Sequence, residues 1–450
     1  MWLRHASRQL PVIRNMGNLL TKYKNIHFIG IGGISMSALA FFCLDMGLNV
    51  SGSDRSNSEI ITKLKNAGVK IYLKHNPENI HNNTDIVVYT SAINEHNSEL
   101  LMAKQKCGCV LERADFLQII SSQYKKIIAV SGTHGKTTTC GMLASIFSCA
   151  GLNPTVHVGG IINQINSNFI IGDKNYFITE ACEYKKHLLK LKPTISAVLN
   201  IEPDHMECYK NFNQLKNCFL RFLKKGKYCV SAENIKLKNH TNYLSKYIPI
   251  NITLNENGCY SFSVVNSKAN LTISLSVVGK HNINNALCAI SISKLCGIAD
   301  EHIEQGIKNF KGVKRRFEVL GKLNNSNIIR DYAHHPTEIK TTINTLKELN
   351  KPYVIIFQPH TYSRTLKLLS EFKEVFKNYK NIIIYKTYSA RENKSMGLTA
   401  KQLCSHCENL LYVGTKARLN KIVSELSEQN INIAFVGAGD IGEIAQQVLT

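Results

Sequence analysis

Ile127-Ile-Ala-Val-Ser131-Gly132-Thr133-His134-Gly135-Lys136-Thr137-Thr138 joins a β-branched apolar run to a glycine-punctuated turn, and a helical pattern over 138–150 follows. A phosphate-binding loop needs glycines so that backbone N–H groups can face the phosphate oxygens. It also needs a lysine for the β/γ oxygens and a hydroxyl for Mg²⁺. Gly132, Gly135, Lys136, Thr137 and Thr138 supply all three, with Thr133 and His134 between the glycines. The loop is shorter than the usual G-x-x-x-x-G-K-[ST], since Val130 stands where the first glycine would fall. Its position between a strand and a helix makes it an ATP site, and strands and helices alternating in this way predict α/β layers with parallel sheets.

Such a loop needs acids beside its metal. A strand over 176–179 ends at Glu180, and another over 195–199 runs into Asn200-Ile-Glu202-Pro-Asp204-His205. Ligands of open α/β sheets gather at the carboxyl ends of the strands. Thr137, Glu180 and His205 are therefore the candidate Mg²⁺ ligands.

A second glycine turn, Gly30-Ile-Gly32-Gly33-Ile-Ser35, follows a strand over 26–29, and Asp54 comes about twenty residues later in Ser51-Gly-Ser53-Asp54. That spacing suits a dinucleotide, with the acid on a ribose, and equally a nucleotide-sugar diphosphate on the same helix N-terminus. Ser35 takes the place of the third glycine. A third region carries strands at 353–357, 382–385 and 433–436. Its Gly437-Ala-Gly439-Asp-Ile-Gly442 reads as the last strand-to-helix turn, too close to the C-terminus to complete another unit. Polar substrate contacts are expected from Asp331-Tyr-Ala-His334-His335-Pro-Thr-Glu338 and Gln358-Pro-His360-Thr-Tyr-Ser-Arg364.

Composition narrows the function. The 450 residues hold 55 Lys+Arg against 32 Asp+Glu, a net charge of +23 that suits anionic partners. Basic pairs such as Lys125-Lys126 and Arg315-Arg316 are scattered, with no aromatic-interleaved basic tract, so no nucleic-acid partner is expected. The uncharged run over 25–44 imitates a signal peptide but is interrupted by Gly30, Gly32 and Gly33, and no other apolar run of about 20 residues predicts a membrane span. The 14 cysteines include one Cys-x-x-Cys, Cys404-Ser-His-Cys407, with no second pair to complete a zinc site. It lies in a helix-like stretch over 399–410. Reduced thiols in the cytoplasm are the expectation. Residues 1–44 contain no acid, and 1–24 read as a disordered extension; a start at Met16 or an organelle presequence would also account for the first fifteen residues. Boundaries near Gln123 and within 312–321 divide the rest into 25–122, 123–318 and 319–450.

The ordered series of motifs resembles the Mur ligases. It comprises His27-Phe-Ile-Gly-Ile-Gly-Gly, Ser51-Gly-Ser-Asp, Ser131-Gly-Thr-His-Gly-Lys-Thr-Thr, Glu180-Ala-Cys-Glu and Asn200-Ile-Glu-Pro-Asp-His. Gly279-Lys-His281-Asn282 with Asn285, Arg315-Arg316-Phe, Asp331-Tyr-Ala-His-His-Pro-Thr-Glu and Phe357-Gln-Pro-His complete it. The resemblance implies three α/β domains: a Rossmann-like UDP-sugar domain, a central ATPase and a Rossmann-like amino-acid domain. It implies ATP and Mg²⁺ as cofactors, and L-alanine and UDP-N-acetylmuramate as substrates, joined through an acyl phosphate. A monomer or weak homodimer is expected. On the UDP-sugar side it places Gly30, Gly32, Gly33, Ser53, Asp54 and Ser91. On the ATP side it places His281, Asn282, Asn285 and Arg316 with the loop residues, and near the alanine His360 and Arg364. Lys136, Glu180, His205, His360 and Arg364 would carry the chemistry. Arg330 and Thr361 depart from the family pattern, which often has Asp and Arg there. The competing readings are a ligase that attaches a whole peptide to the same UDP-sugar, and an NAD-dependent dehydrogenase, which would leave the Lys136 loop idle.

Overall fold

The computed structural model describes residues 22–233, 236–266, 269–390, 392–407 and 410–450. The expected disordered extension therefore lies outside the described residues apart from its last three positions. Two compact units form. Of the described residues, one holds 22–161 with Ile165–Tyr247 and Asn285–Gly306; the other holds Ile162–Gln164, Ile248–Asn284 and Ile307–Thr450.

The first unit contains two sheets. The five-stranded sheet is parallel throughout and runs Lys70–Tyr72, Asn49–Ser53, Asn25–Ile29, Ile86–Tyr89, Cys109–Glu112. Chain order reverses between Asn25–Ile29 and Ile86–Tyr89, which is where a doubly wound sheet opens its ligand crevice. The Gly30 turn follows one of these strands and Ser91 follows the other. In the seven-stranded sheet Lys126–Ser131 lies between Ile195–Val198 and Asp173–Glu180, parallel to both. The Lys136 loop, Asn200 and Glu180 thus share one carboxyl edge.

One hydrophobic core runs through both sheets, from Phe28 and Ile31 through Phe116 and Ile120 to Phe177, Phe219 and Phe222. This continuity explains why the sequence boundary near Gln123 does not separate compact units. Tyr124, just past it, packs its ring 4.9 Å from Phe177. The helix behind the loop spans Lys136–Cys149 and buries ten of its fourteen residues, including Cys140, Leu143 and Phe147. A helix buried on nearly every side in this way lies inside the fold, Thr137, Thr139 and Ser145 included. It starts two residues before the predicted 138 because Gly135, at φ 85°, caps it from the left-handed region that glycine tolerates.

The second unit contains an antiparallel three-stranded sheet, Ile248–Leu254, Cys259–Asn266 and Ala269–Val278. Its other sheet has six strands in the order Glu318–Leu323, Ser326–Asp331, Asn432–Val436, Tyr353–Phe357, Ile382–Tyr385, Leu411–Val413. All of these pair in parallel except the first. The helix expected over 399–410 is shorter, Ala400–Ser405, and begins with a Thr399–Gln402 capping box. All fourteen cysteines are free thiols. Among the described residues no helix is long and apolar enough to cross a membrane.

Candidate active site

The Lys136 loop is buttressed from the next strand. His134 N donates to Asn200 Oδ1 at 2.8 Å, and Asn200 Nδ2 donates back to His134 O at 3.1 Å. Glu202 N donates to Thr133 Oγ1 at 2.9 Å. A side chain at Gly135 would collide with the Asn285 carboxamide, so the helix that carries Asn285 leaves room for glycine alone. The loop's shape is therefore held by the residues the sequence pairs with it.

Lys136 folds over its own loop. Its ammonium donates to Gly132 O, to Thr133 O at 3.1 Å and to both oxygens of Glu183 at 3.1 Å. Burial disfavours the charge, but Glu183 and Glu180 outweigh it and raise the lysine pKa. Glu183 is 2% exposed in its side chain, so this pair sits inside the protein.

Beside it, Glu183, Asp204 and His205 bring one ligand atom each to within 4.8 Å of one another. Two carboxylates in one group suit a hard divalent cation such as Mg²⁺. His205 sits in left-handed backbone at φ 52°, a conformation that a non-glycine residue holds only when its surroundings impose it. Burial lowers its pKa, but Glu207, Asp204 and Glu183 turn the balance upward. Of the three expected metal ligands, His205 stands in this group. Thr137 is buried in the first turn of the helix, next to Lys136. Glu180 lies outside the group, its Oε1 accepting from Gly159 N at 2.7 Å. Glu183 and Asp204 were quoted in the sequence motifs without being assigned. The legible signal was a second acid three residues after Glu180, on the same turn past the strand.

In the five-stranded sheet, Gly30 N and Ile31 N both donate to Ser53 O, at 2.8 and 3.0 Å. Asp54 Oδ2 accepts from Gly32 N at 2.9 Å, so the expected ribose acid closes onto the glycine turn itself. Ser53 meets that turn through its carbonyl. Its hydroxyl, fully buried, points away and donates to Glu99 Oε2 at 2.6 Å. Ser91 borders a cavity of about 440 Å³ with Asn94, His96 and Lys185, and its carbonyl accepts from Lys185 Nζ at 3.4 Å.

The remaining candidates belong to the second unit, except Asn285. His281 and Asn282 open the helix His281–Leu295, and Asn282 Nδ2 donates to Val278 O at 2.7 Å. Arg316 lies 3.5 Å from Glu338 Oε1 and over the Tyr332 ring. Asp331 is buried at the end of its strand, which raises its carboxyl to about 6 despite Arg316 and the bonds from Ala333 N and Thr342 Oγ1. His360 stacks on Tyr388 at 5.5 Å and lies 5.9 Å from His334. Burial, with His334 and Arg364 nearby, lowers His360 to about 4, so its imidazole is neutral near pH 7. Thr361 caps the helix Tyr362–Lys367 at φ 66°, and Arg364 lies on that helix. Arg330, the other departure, is bound to Glu318 Oε2 at 2.8 Å.

Three family models match along the chain. They are the Mur ligase family catalytic domain over 25–125, the Mur ligase middle domain over 130–293, and the Mur ligase glutamate ligase domain over 315–439. The chain belongs to the Mur ligase family. It is 43% identical to the UDP-N-acetylmuramate–L-alanine ligase of Clostridium beijerinckii, over 95% of this chain and 98% of that one. It is 39% identical to the enzyme of the same name from Acetivibrio thermocellus, over 95% and 96%. Among solved structures it resembles the UDP-N-acetylmuramate-alanine ligase of Thermotoga maritima, with a TM-score of 0.79 at 26% identity over 95% of this chain and 98% of that one. A murein peptide ligase from Psychrobacter arcticus shares the fold, with a TM-score of 0.72 at 22% identity over 95% and 98%.

Proposed function

We propose that this chain is the ATP-dependent ligase that joins L-alanine to the carboxylate of UDP-N-acetylmuramate, acting in the cytoplasm on peptidoglycan precursors. The observation that carries the reading is the unbroken likeness to L-alanine ligases over 95% of the chain. It includes the C-terminal segment that carries Gln358-Pro-His360 and Arg364. The functional domains we assign are 25–122 for the UDP-sugar, 123–318 for ATP and 319–450 for the amino acid, in a monomer or weak homodimer.

The residues fit the chemistry. Lys136 and the N–H groups of its loop would hold the ATP phosphates and neutralise charge on the transferring phosphoryl group. Mg²⁺, when bound at Glu183, Asp204 and His205 with Thr137 and Glu180 nearby, supplies further charge neutralisation. The muramoyl carboxylate attacks the γ-phosphorus, and an acyl phosphate and ADP result. The alanine amine then displaces phosphate. Arg364 would bind the alanine carboxylate, and neutral His360 would orient the amine and take its proton. The Gly30 turn and Ser91 flank the crevice at the switch point of the first sheet, where the UDP-sugar would lie.

Phosphate release from ATP, measured with UDP-N-acetylmuramate in the presence and absence of L-alanine, tests the proposal. Release that requires both, with formation of the alanyl product, is expected. Release with UDP-N-acetylmuramate and a peptide but not with alanine would point to the peptide-adding activity.

A further inference from the structure

Arg113 opens the helix Arg113–Ser121, directly after the last strand of the first sheet. It was not a sequence candidate. Its guanidinium makes no ion pair among the described residues. NH1 donates to Ser35 Oγ at 3.2 Å and NH2 to His187 Nδ1 at 3.3 Å. Arginine can only donate, so His187 Nδ1 accepts from it, and His187 Nε2 lies 2.9 Å from Glu112 Oε1. Neither partner of the arginine is a carboxylate.

The acids around it are engaged elsewhere. Glu112 is held by His187 and by Lys190 at 3.0 Å, which bring it down to about 2. Glu180 is held by Gly159 N. Ser35 lies in the first turn of the helix Ile34–Asp45, whose cap, Gly33, offers no side chain and whose first turn has no acid. Ser35 Oγ also meets His157 Nε2 at 2.9 Å, and His157 Nδ1 lies 3.2 Å from Thr179 Oγ1, one residue before Glu180. Burial and Arg113 keep His157 at about 3, hence uncharged. A partly buried cation thus stands between the first glycine turn and the carboxyl edge of the ATP sheet, with a hydroxyl and an imidazole orienting its fork.

We infer that Arg113 binds an oxyanion of the UDP-sugar, its diphosphate or the carboxylate to be joined, and positions it between the glycine turn and the Lys136 loop. The inference rests on the proposed function. A planar guanidinium held at two of its nitrogens is suited to such a group, and lysine cannot reproduce the geometry. The two oxyanions differ in where they occur: UDP carries the diphosphate and lacks the carboxylate.

Full-length wild type, Arg113→Lys and Arg113→Gln are compared by calorimetric titration with UDP-N-acetylmuramate, UDP and Mg-ATP, alongside thermal melting. Both variants should bind UDP-N-acetylmuramate at least tenfold more weakly, Gln worse than Lys, with ATP affinity unchanged. An equal loss for UDP assigns the diphosphate; sparing of UDP assigns the carboxylate. Unchanged UDP-N-acetylmuramate affinity in a folded variant overturns the inference. So does a parallel loss for ATP, or failure of both variants to melt cooperatively, since either would make Arg113 a framework residue. If the wild type itself ignores UDP-N-acetylmuramate, the proposed function fails first.

Discussion

Glu99→Gln should destabilise the protein by about 3 kcal/mol at pH 7, and the loss should vanish in acid. Glu99 is fully buried, and its carboxylate is surrounded by donors: His27 Nε2 at 2.9 Å, His75 Nδ1 at 2.9 Å, Ser53 Oγ at 2.6 Å and Asn79 Nδ2 at 3.0 Å. Burial alone would raise its pKa. The four hydrogen bonds outweigh burial and lower it from 4.5 to about 2. At 1.36 kcal/mol per unit, that difference is worth about 3 kcal/mol of folding free energy. The folded pKa lies below the unfolded one, so the contribution is complete above about pH 4.5 and drains away as the pH falls towards 2. Glutamine keeps the volume but adds a donor where only acceptors are needed. Urea unfolding of wild type and Glu99→Gln, followed by circular dichroism at steps from pH 7 to pH 3, reads the difference directly. Equal stabilities at pH 7, or a gap that does not shrink in acid, would refute the argument that the network exists to solvate this charge.

Lys136→Ala should lower turnover at least 10²-fold, as expected from removing a group that neutralises developing charge. It should also destabilise the fold by roughly 3 kcal/mol, because Glu183 is left buried without its counter-ion. Adding Glu183→Gln should restore the melting temperature but not phosphate release. Asp331→Asn should raise the melting temperature at pH 7. Burial lifts this carboxyl from 3.8 to about 6, so ionisation opposes folding by about 3 kcal/mol above pH 6 and not below pH 4; equal melting of variant and wild type at pH 7 would count against this. Arg364→Lys should raise the Michaelis constant for L-alanine more than tenfold while sparing those for ATP and UDP-N-acetylmuramate, since a lysine loses the bidentate fork; steady-state kinetics with each substrate varied in turn decides it.

Elements marked by glycine or by β-branched runs were legible in the sequence. Tyr353–Phe357 and Ile382–Tyr385 have the predicted ends, and the strands before Gly30 and Gly132 are longer by one residue or two. Local chemistry sets these: the strand residues pack on both faces and the glycine turn ends them. Three domains were legible, in step with the three family models, but the packing of the first two into one compact unit was not. It depends on a core shared by Phe116, Tyr124 and Phe177, contacts that no local pattern announces. The same holds at the site. Lys136 and His205 could be read from their motifs, whereas Glu183 is distinguished from Glu180 only by the turn that aims one at Lys136 and the other at Gly159 N. Arg113 and Glu99 lie in unremarkable helical segments, and their partners are 74 or more residues away in some cases and invisible to spacing arguments.

Under the proposed assignment of a phosphate to each glycine turn, both turns are already met by a carboxylate of the same chain. Asp54 accepts from Gly32 N at the first, and Glu183 accepts from Lys136 at the second. An N–H at a helix start and a buried ammonium would each be costly without an acceptor, so these acids stabilise the loops in the shape an anion requires. A phosphate arriving at either turn exchanges one acceptor for another and need not reorganise the donors. The affinity gained is therefore the difference between two charge-assisted contacts, smaller than either alone. On that assignment the exchange would link the phosphate and metal positions: a phosphate taking Lys136 from Glu183 would free a carboxylate within 4.8 Å of ligand atoms of Asp204 and His205, where a cation would balance it.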